Sequence, residues 1–374
     1  MTEPDPVSGG IYVHFPYCRH RCHYCDFALV TPAAIPQDSY TEAVLRELEL
    51  RSGVFTGGAR TLYFGGGTPS LWDPGHIRSV IEGARAHHGL LPDAEITLEM
   101  NPEDVDELLV GRYVDVGVNR FSLGVQSFLD HRLAHLDRRH DGQRARDAVR
   151  TVRASGVRAI SADLIFATPG QSVDSWAEEL ETAVELGVDH LSVYGLTVEP
   201  RTRLNRMIEM GSYPEVDEDL SAQLFERARE TLERLGWSHY EVSSYARPGY
   251  EAVHNRAYWH GLPYLGVGAA AHGLLHQRRW VNHRRPSQYI EETLLGQPEA
   301  ESETVTDETW AWERVITGLR DLDRGVDRAW LRAATGERFE ALERDGRLEA
   351  VGSRVRVHRS QVLWLDSLLL ELSP

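Results

Sequence analysis

The chain has 374 residues, 41% hydrophobic and 26% charged, an ordinary composition for a soluble globular protein of two or three domains. Its net charge of −17 disfavours broad phosphate-driven binding to nucleic acid, and no run approaches the ~18 apolar residues of a membrane span. All 40 basic residues are arginine, which excludes a P-loop lysine and a pyridoxal Schiff-base lysine together.

The start, MTEPDPVSGG, is acidic and rich in Pro and Gly, without the basic segment and apolar run of a signal peptide, so a cytoplasmic location is expected. The first strand candidate, GIYVHF (10–15), leads directly into CRHRCHYCDF (18–27). That stretch holds all three cysteines, Cys18, Cys22 and Cys25, in a C-x3-C-x2-C spacing. Such clustering does not suit a disulfide framework and points to metal or redox chemistry. Loops that leave parallel strands at their C-terminal ends are where βα scaffolds build sites. Three thiolates can hold three irons of a [4Fe–4S] cluster and leave the fourth open to a small molecule. A zinc ion completed by His20 or His23 is the rival, and three buried structural cysteines the plain alternative.

The second strand, RTLYFG (60–65), opens into a glycine run, LYFGGGTPS (62–70). Three consecutive glycines exceed what a tight turn needs and allow backbone to approach a ligand closely. The pattern is neither a Walker loop nor a dinucleotide fingerprint. Further strands are expected at EITLEM (95–100), NRFSLGV (119–125), VRAISADLIF (157–166) and HLSVYGL (190–196). Polar residues close three of them: Glu99, Gln126 and Asp163. Carboxylates rarely sit in buried strands without partners, so their recurrence at one end suggests a shared polar pocket. Arg138, in HLDRRHDG, is a candidate cation for it.

Amphipathic helices separate the strands. In SVDSWAEELETAVELG, Trp176, Leu180, Ala183 and Val184 share one face; in DEDLSAQLFERARETLERLG, Leu220, Leu224, Ala228 and Leu232 do so. The alternation predicts an α/β fold over residues 1–236, a parallel sheet with helical crossovers forming a partial (β/α)6 barrel or a doubly wound sheet. Residues 237–300 lose the alternation and read as an irregular cover, rich in aromatics and His and containing HNRAYW (254–259). Residues 301–374 read as a small α+β domain resembling a winged helix. They comprise helices around 307–320, 327–333 and 336–345, strands RLEAV and RVRVH, and an apolar helix SQVLWLDSLLLEL. With 11 arginines against 15 acids, this domain is a poor DNA binder.

The cysteine spacing, with Tyr24 before the last cysteine and GGGTP after the next strand, resembles the radical S-adenosylmethionine superfamily. The resemblance implies that S-adenosylmethionine fills the open iron site and that a reduced cluster can cleave it to a 5′-deoxyadenosyl radical. YVHFPYC, LEMNPE, FSLGVQSF, DLIFATPGQ and HNRAYW resemble the branch that holds oxygen-independent coproporphyrinogen III oxidases and HemW-type heme chaperones. It implies cluster ligation by Cys18, Cys22 and Cys25. Tyr12, Gly66 and Glu99 would contact the bound S-adenosylmethionine. Tyr24, Gly67, Thr68, Gln126, Arg138 and Asp163 match positions that line a second, neighbouring S-adenosylmethionine site in the oxidase. The oxidases carry a fourth cysteine two residues after the third, where this chain has Phe27, and an N-terminal extension, where this chain reaches its first strand by residue 11. These departures favour the chaperones, for which His254 would be the heme contact; a hydrogen-bonded structural knot is the other reading of that histidine. The expected partners are heme and heme-acceptor proteins, with no nucleic acid and with peripheral membrane contact allowed. An enzyme of porphyrin metabolism remains the alternative function, and a zinc-dependent structural protein the third.

Overall fold

The computed structural model describes residues 7–215 and 217–373; most of the acidic start lies outside the described residues. The six expected strands are β1 (Gly9–Phe15), β2 (Ala59–Gly66), β3 (Glu95–Met100), β4 (Arg120–Gln126), β5 (Ala159–Phe166) and β6 (His190–Gly195). They pair in sequence order and in parallel. Nearly every β1 and β5 residue is buried, as expected of parallel strands covered on both faces.

Local chemistry sets the crossovers. Asp73 caps the helix Pro74–His88 through the amide of Gly75, Pro74 supplies a fixed φ, and Gly89 closes it at φ 59°. Ser172 and Ser175 form a capping box at the start of the helix Val173–Glu185. That helix buries Trp176, Leu180 and Ala183, and the helix Glu218–Arg234 buries Leu224, Ala228 and Leu232. Trp176 Nε1 donates to the Leu224 carbonyl at 3.0 Å, pinning the two together.

The six parallel strands do not close into a ring. Beyond β6 lie β7 (Ser238–Glu241) and β8 (Ser244–Ala246); beyond β1 lie β9 (Tyr264–Val267), β10 (His272–Leu275), β11 (Arg278–Asn282) and β12 (Glu299–Thr304). The sheet order is β12-β11-β10-β9-β1-β2-β3-β4-β5-β6-β8-β7. The irregular cover expected over 237–300 is therefore corrected: the segment supplies short strands that extend both edges of the same sheet, together with the helices Val253–Trp259 and Pro286–Leu294. Strands of three to six residues, broken by Gly and His, carry too few side chains to display a period of two.

The C-terminal part follows the expected order. Helices Asp307–Gly318, Arg328–Thr335 and Arg338–Arg344 precede β14 (Leu348–Val351) and β15 (Arg354–Val357), which join the short β13 (Val326–Asp327). Leu319, Leu331, Phe339, Val355 and Leu368 form its separate core. The last segment begins as a 3₁₀ turn, Arg359–Trp364, before the helix Leu365–Leu372. Among the described residues, no helix is long and apolar enough to cross a membrane.

Candidate functional site

The chain leaves β1 at Phe15 and returns at Val30, which bonds to Pro16 and Cys18 through backbone pairs of 2.8 and 3.0 Å. Between these ties the three cysteines project from one closed loop. Arg21 donates to the carbonyls of Phe27 and Leu29 at 3.2 and 2.7 Å and stiffens its outer half. Cys18, Cys22 and Cys25 are all unpaired thiols. All three face a cavity of about 680 Å³ at the C-terminal ends of β1–β6.

Of the thirteen residues expected to hold the cluster, S-adenosylmethionine or heme, eleven line this cavity: the cysteines, Tyr24, Gly66, Gly67, Thr68, Glu99, Gln126, Arg138 and Asp163. Tyr12 and His254 do not. They stand behind its wall, in a stack in which the Tyr63 ring lies 6.0 Å from Tyr12 and 5.0 Å from His254. Nδ1 of His254 is hydrogen-bonded to Thr61 Oγ1 at 2.7 Å and Nε2 to Tyr258 Oη at 2.9 Å. Its amide, with that of Val253, is capped by Glu95. Burial pushes the imidazole down to about 3, so it is neutral. Both ring nitrogens are engaged, and coordination of an iron by His254 would require the ring to leave this packing.

The glycine run is demanded by the protein itself. A Cβ on Gly67 would lie 2.5 Å from the Tyr17 carbonyl, and one on Gly66 within 3.0 Å of the His14 ring. Gly66 also has φ 115°. This turn brings Thr68 Oγ1 to the Cys18 sulfur at 3.0 Å. Asn101 Nδ2 donates to the same hydroxyl at 3.1 Å, and Asn101 Oδ1 accepts from Arg138 Nη2 at 2.6 Å. Arg138 Nη1 lies 3.7 Å from the Cys22 sulfur. One polar chain thus runs from the third strand's end to two of the thiols. Burial pushes the Cys22 thiol up, and Arg138 works against that shift.

Two carboxyls face the same space. Glu99 accepts the Tyr63 hydroxyl at 2.8 Å and the Gly66 amide at 3.0 Å, and burial pushes it up to about 7. Asp163 accepts from Ser122 at 3.3 Å, and burial raises it to about 6. Gln126 holds φ 63°, a conformation that costs a non-glycine residue and gathers at functional sites. Among the described residues, Thr97 Oγ1, Arg138 Nε and His190 Nδ1 are buried without partners, and all three residues line the cavity. Unpaired buried donors and acceptors of this kind are costly in a site that holds nothing.

Asn101, Thr97 and His190 were not singled out from the sequence. Asn101 follows Glu99 by two and so keeps to its side of the strand, a signal that was available. The zinc alternative fares less well. His20 Nε2 lies 3.1 Å from Asp137, and His23 Nε2 is bonded to the His135 carbonyl at 2.6 Å. Among the described residues no three His, Cys, Asp or Glu side chains are arranged around one ion position. Three thiols on one cavity wall fit a cluster held through three of its irons, and two carboxyls lining the same cavity, Glu99 and Asp163, fit a ligand that carries positive charge.

A partial barrel of six parallel strands, with three thiols on its first loop and carboxyls at the ends of later strands, defines a radical S-adenosylmethionine protein. The Radical SAM superfamily matches residues 12–183. The heme chaperone HemW of Mycobacterium tuberculosis is 38% identical over 359 residues, covering 94% of this chain and 92% of the relative. That of Escherichia coli is 38% identical over 277 residues, covering 73% and 71%. The solved coproporphyrinogen III oxidase HemN of Escherichia coli, a radical SAM enzyme, superposes with a TM-score of 0.83 at 22% identity, over 98% of this chain and 90% of that one; this likeness speaks to fold alone. The chain belongs to the HemW family of the radical SAM superfamily.

Proposed function

We propose that this protein is a heme chaperone: it binds heme, a [4Fe–4S] cluster and S-adenosylmethionine, and passes heme to acceptor proteins. The observation that carries the reading is Phe27. It lines the mouth of the cavity and is 62% exposed, at the position where the oxidases have a fourth cysteine. A phenyl ring can neither coordinate a metal nor transfer a proton to a substrate. The relatives named as heme chaperones support the same conclusion.

Cys18, Cys22 and Cys25 would hold the cluster, and Glu99 and Asp163 would receive the cationic end of S-adenosylmethionine. When bound, the pair supplies one-electron cleavage of a C–S bond. The chain's own contribution is placement and exclusion. Thr68 and Arg138 direct donors at two sulfurs, and Tyr63 and the Gly66 amide orient Glu99.

The test is a heme titration run beside an anaerobic coproporphyrinogen assay on one reconstituted preparation with S-adenosylmethionine and reductant. About one heme per chain and no protoporphyrinogen are expected. Turnover of coproporphyrinogen III would replace this reading with the oxidase.

A further inference from the structure

A second cavity, of about 240 Å³, lies on the other side of the His254 stack, between the helix Val253–Trp259, the β9–β11 edge and the helix Asp307–Gly318. Its walls are apolar and aromatic: Tyr258, Leu262, Tyr264, Leu274, Trp310 and Ile316. Tyr258 is shared between the two regions, since its hydroxyl bonds to His254 while its ring meets Tyr264 edge-on at 4.7 Å.

Two arginines border this crevice, and they differ. Arg279 is neutralised by Glu303 at 2.7 Å and Glu313 at 2.6 Å. Arg314 has no acidic partner and no side-chain hydrogen bond among the described residues, and its Nε is buried and unsatisfied. The guanidinium is instead gripped by its faces, 4.2 Å from the Trp330 ring centroid and 5.0 Å from that of Trp310. Ring stacking occupies the faces of a guanidinium and leaves its in-plane N–H donors free, the geometry that takes a carboxylate bidentately. Gly261 sets bare backbone against it: a Cβ there would stand 3.4 Å from the guanidinium, and φ 64° suits glycine. The side chain is only half-buried, but its buried Nε has no acceptor, which is costly, and burial also pulls the guanidinium's pKa below its ordinary value.

Resting on the heme-chaperone reading, we propose that this crevice seats one edge of heme, with a propionate carboxylate on Arg314 and the macrocycle against Tyr258, Tyr264 and Trp310. Flat aromatic walls with one unpaired cation match a planar apolar molecule that carries carboxylates. The volume is below that of pockets which enclose a whole ligand. Most of the ring would therefore remain outside, open to an acceptor. The crevice also offers heme a seat without disturbing the two hydrogen bonds of His254.

Full-length reconstituted protein is titrated with ferric heme and with heme dimethyl ester, whose propionates carry no charge, while absorbance is followed. The unaltered protein should prefer heme over the ester by about tenfold to a hundredfold, the worth of one charge-assisted pair. Arg314→Leu should lose that preference and bind heme as weakly as the ester, and Arg314→Lys should recover part of it. Thermal melts confirm that the variants are folded. Equal affinity of the unaltered protein for heme and ester overturns the site even if Arg314→Leu fails to fold. Heme binding unchanged by Arg314→Leu overturns the site and leaves the chaperone reading standing. An unaltered protein that binds no heme overturns both.

Discussion

Thr68, on the turn after β2, donates its hydroxyl to the sulfur of Cys18, on the loop after β1, across 3.0 Å. Asn101 donates to the same oxygen, which commits the hydroxyl proton to the sulfur. Hydrogen bonds to ligand sulfurs tune cluster potentials. Thr68→Val should retain iron and sulfide but move the midpoint potential to more negative values, since a donor stabilises the more electron-rich state. Voltammetry reads this directly, and an unchanged potential would assign the bond to packing.

Replacing Cys18, Cys22 or Cys25 with Ala should each leave anaerobically reconstituted protein without the broad visible absorption of a cluster. The unaltered protein should hold about four irons and four sulfides, the stoichiometry of a [4Fe–4S] centre. Stoichiometric zinc in a colourless protein would end the cluster reading.

Glu99 gives a pH dependence with a definite sign. Burial raises its carboxyl from 4.5 to about 7, so the folded chain holds a proton that the unfolded chain releases near pH 4.5. Between those values the folded state binds more protons, and stability therefore falls as pH rises, by on the order of 3 kcal/mol at most. Glu99→Gln should flatten that part of the melting-temperature profile. It should also weaken S-adenosylmethionine by roughly tenfold to a hundredfold with the cluster intact. Calorimetry at pH 5 and pH 8 checks both.

His254→Ala should destabilise the protein by about 2–4 kcal/mol, because it strands the Thr61 and Tyr258 hydroxyls and opens a cavity among stacked rings. Denaturant titration measures this. A variant of unaltered stability whose heme spectrum shifts would instead make His254 a ligand.

The buried pair Arg120–Glu95, 3.3 Å apart, ties β4 to the cap of the His254 helix. Arg120→Leu leaves Glu95, and Glu95→Gln leaves Arg120, as a buried charge without its partner, so each should cost about 3–5 kcal/mol. A loss under about 1 kcal/mol in either melt would refute the charge argument.

The six parallel strands, their crossover helices and the cysteine loop were legible because each depends on short-range pattern, apolar runs and cysteine spacing, whereas Tyr24 and the ligand roles of Gly66, Gly67 and Thr68 came only from the family resemblance. The partners were not. Thr61 and His254 are 193 positions apart, and nothing local to either announces their bond. HNRAYW could be read equally as a ligand segment or as packing, and only the three-dimensional neighbours of its ring distinguish them. The edge strands β7–β12 were missed for a related reason. Their pairing is set by the neighbouring strand more than by their own side chains.

Because β1 lies between β2 and β9, its two flanks are completed at very different times. Gly10 pairs with Tyr264, which leaves the ribosome about 250 residues later, a delay of roughly 12–50 s at ~5–20 residues per second. Throughout that interval the strand that carries the cysteine loop presents one bare edge to solvent and to other nascent chains. An unpaired edge of that kind is open to chaperones and to wrong pairing until β9 emerges and covers it.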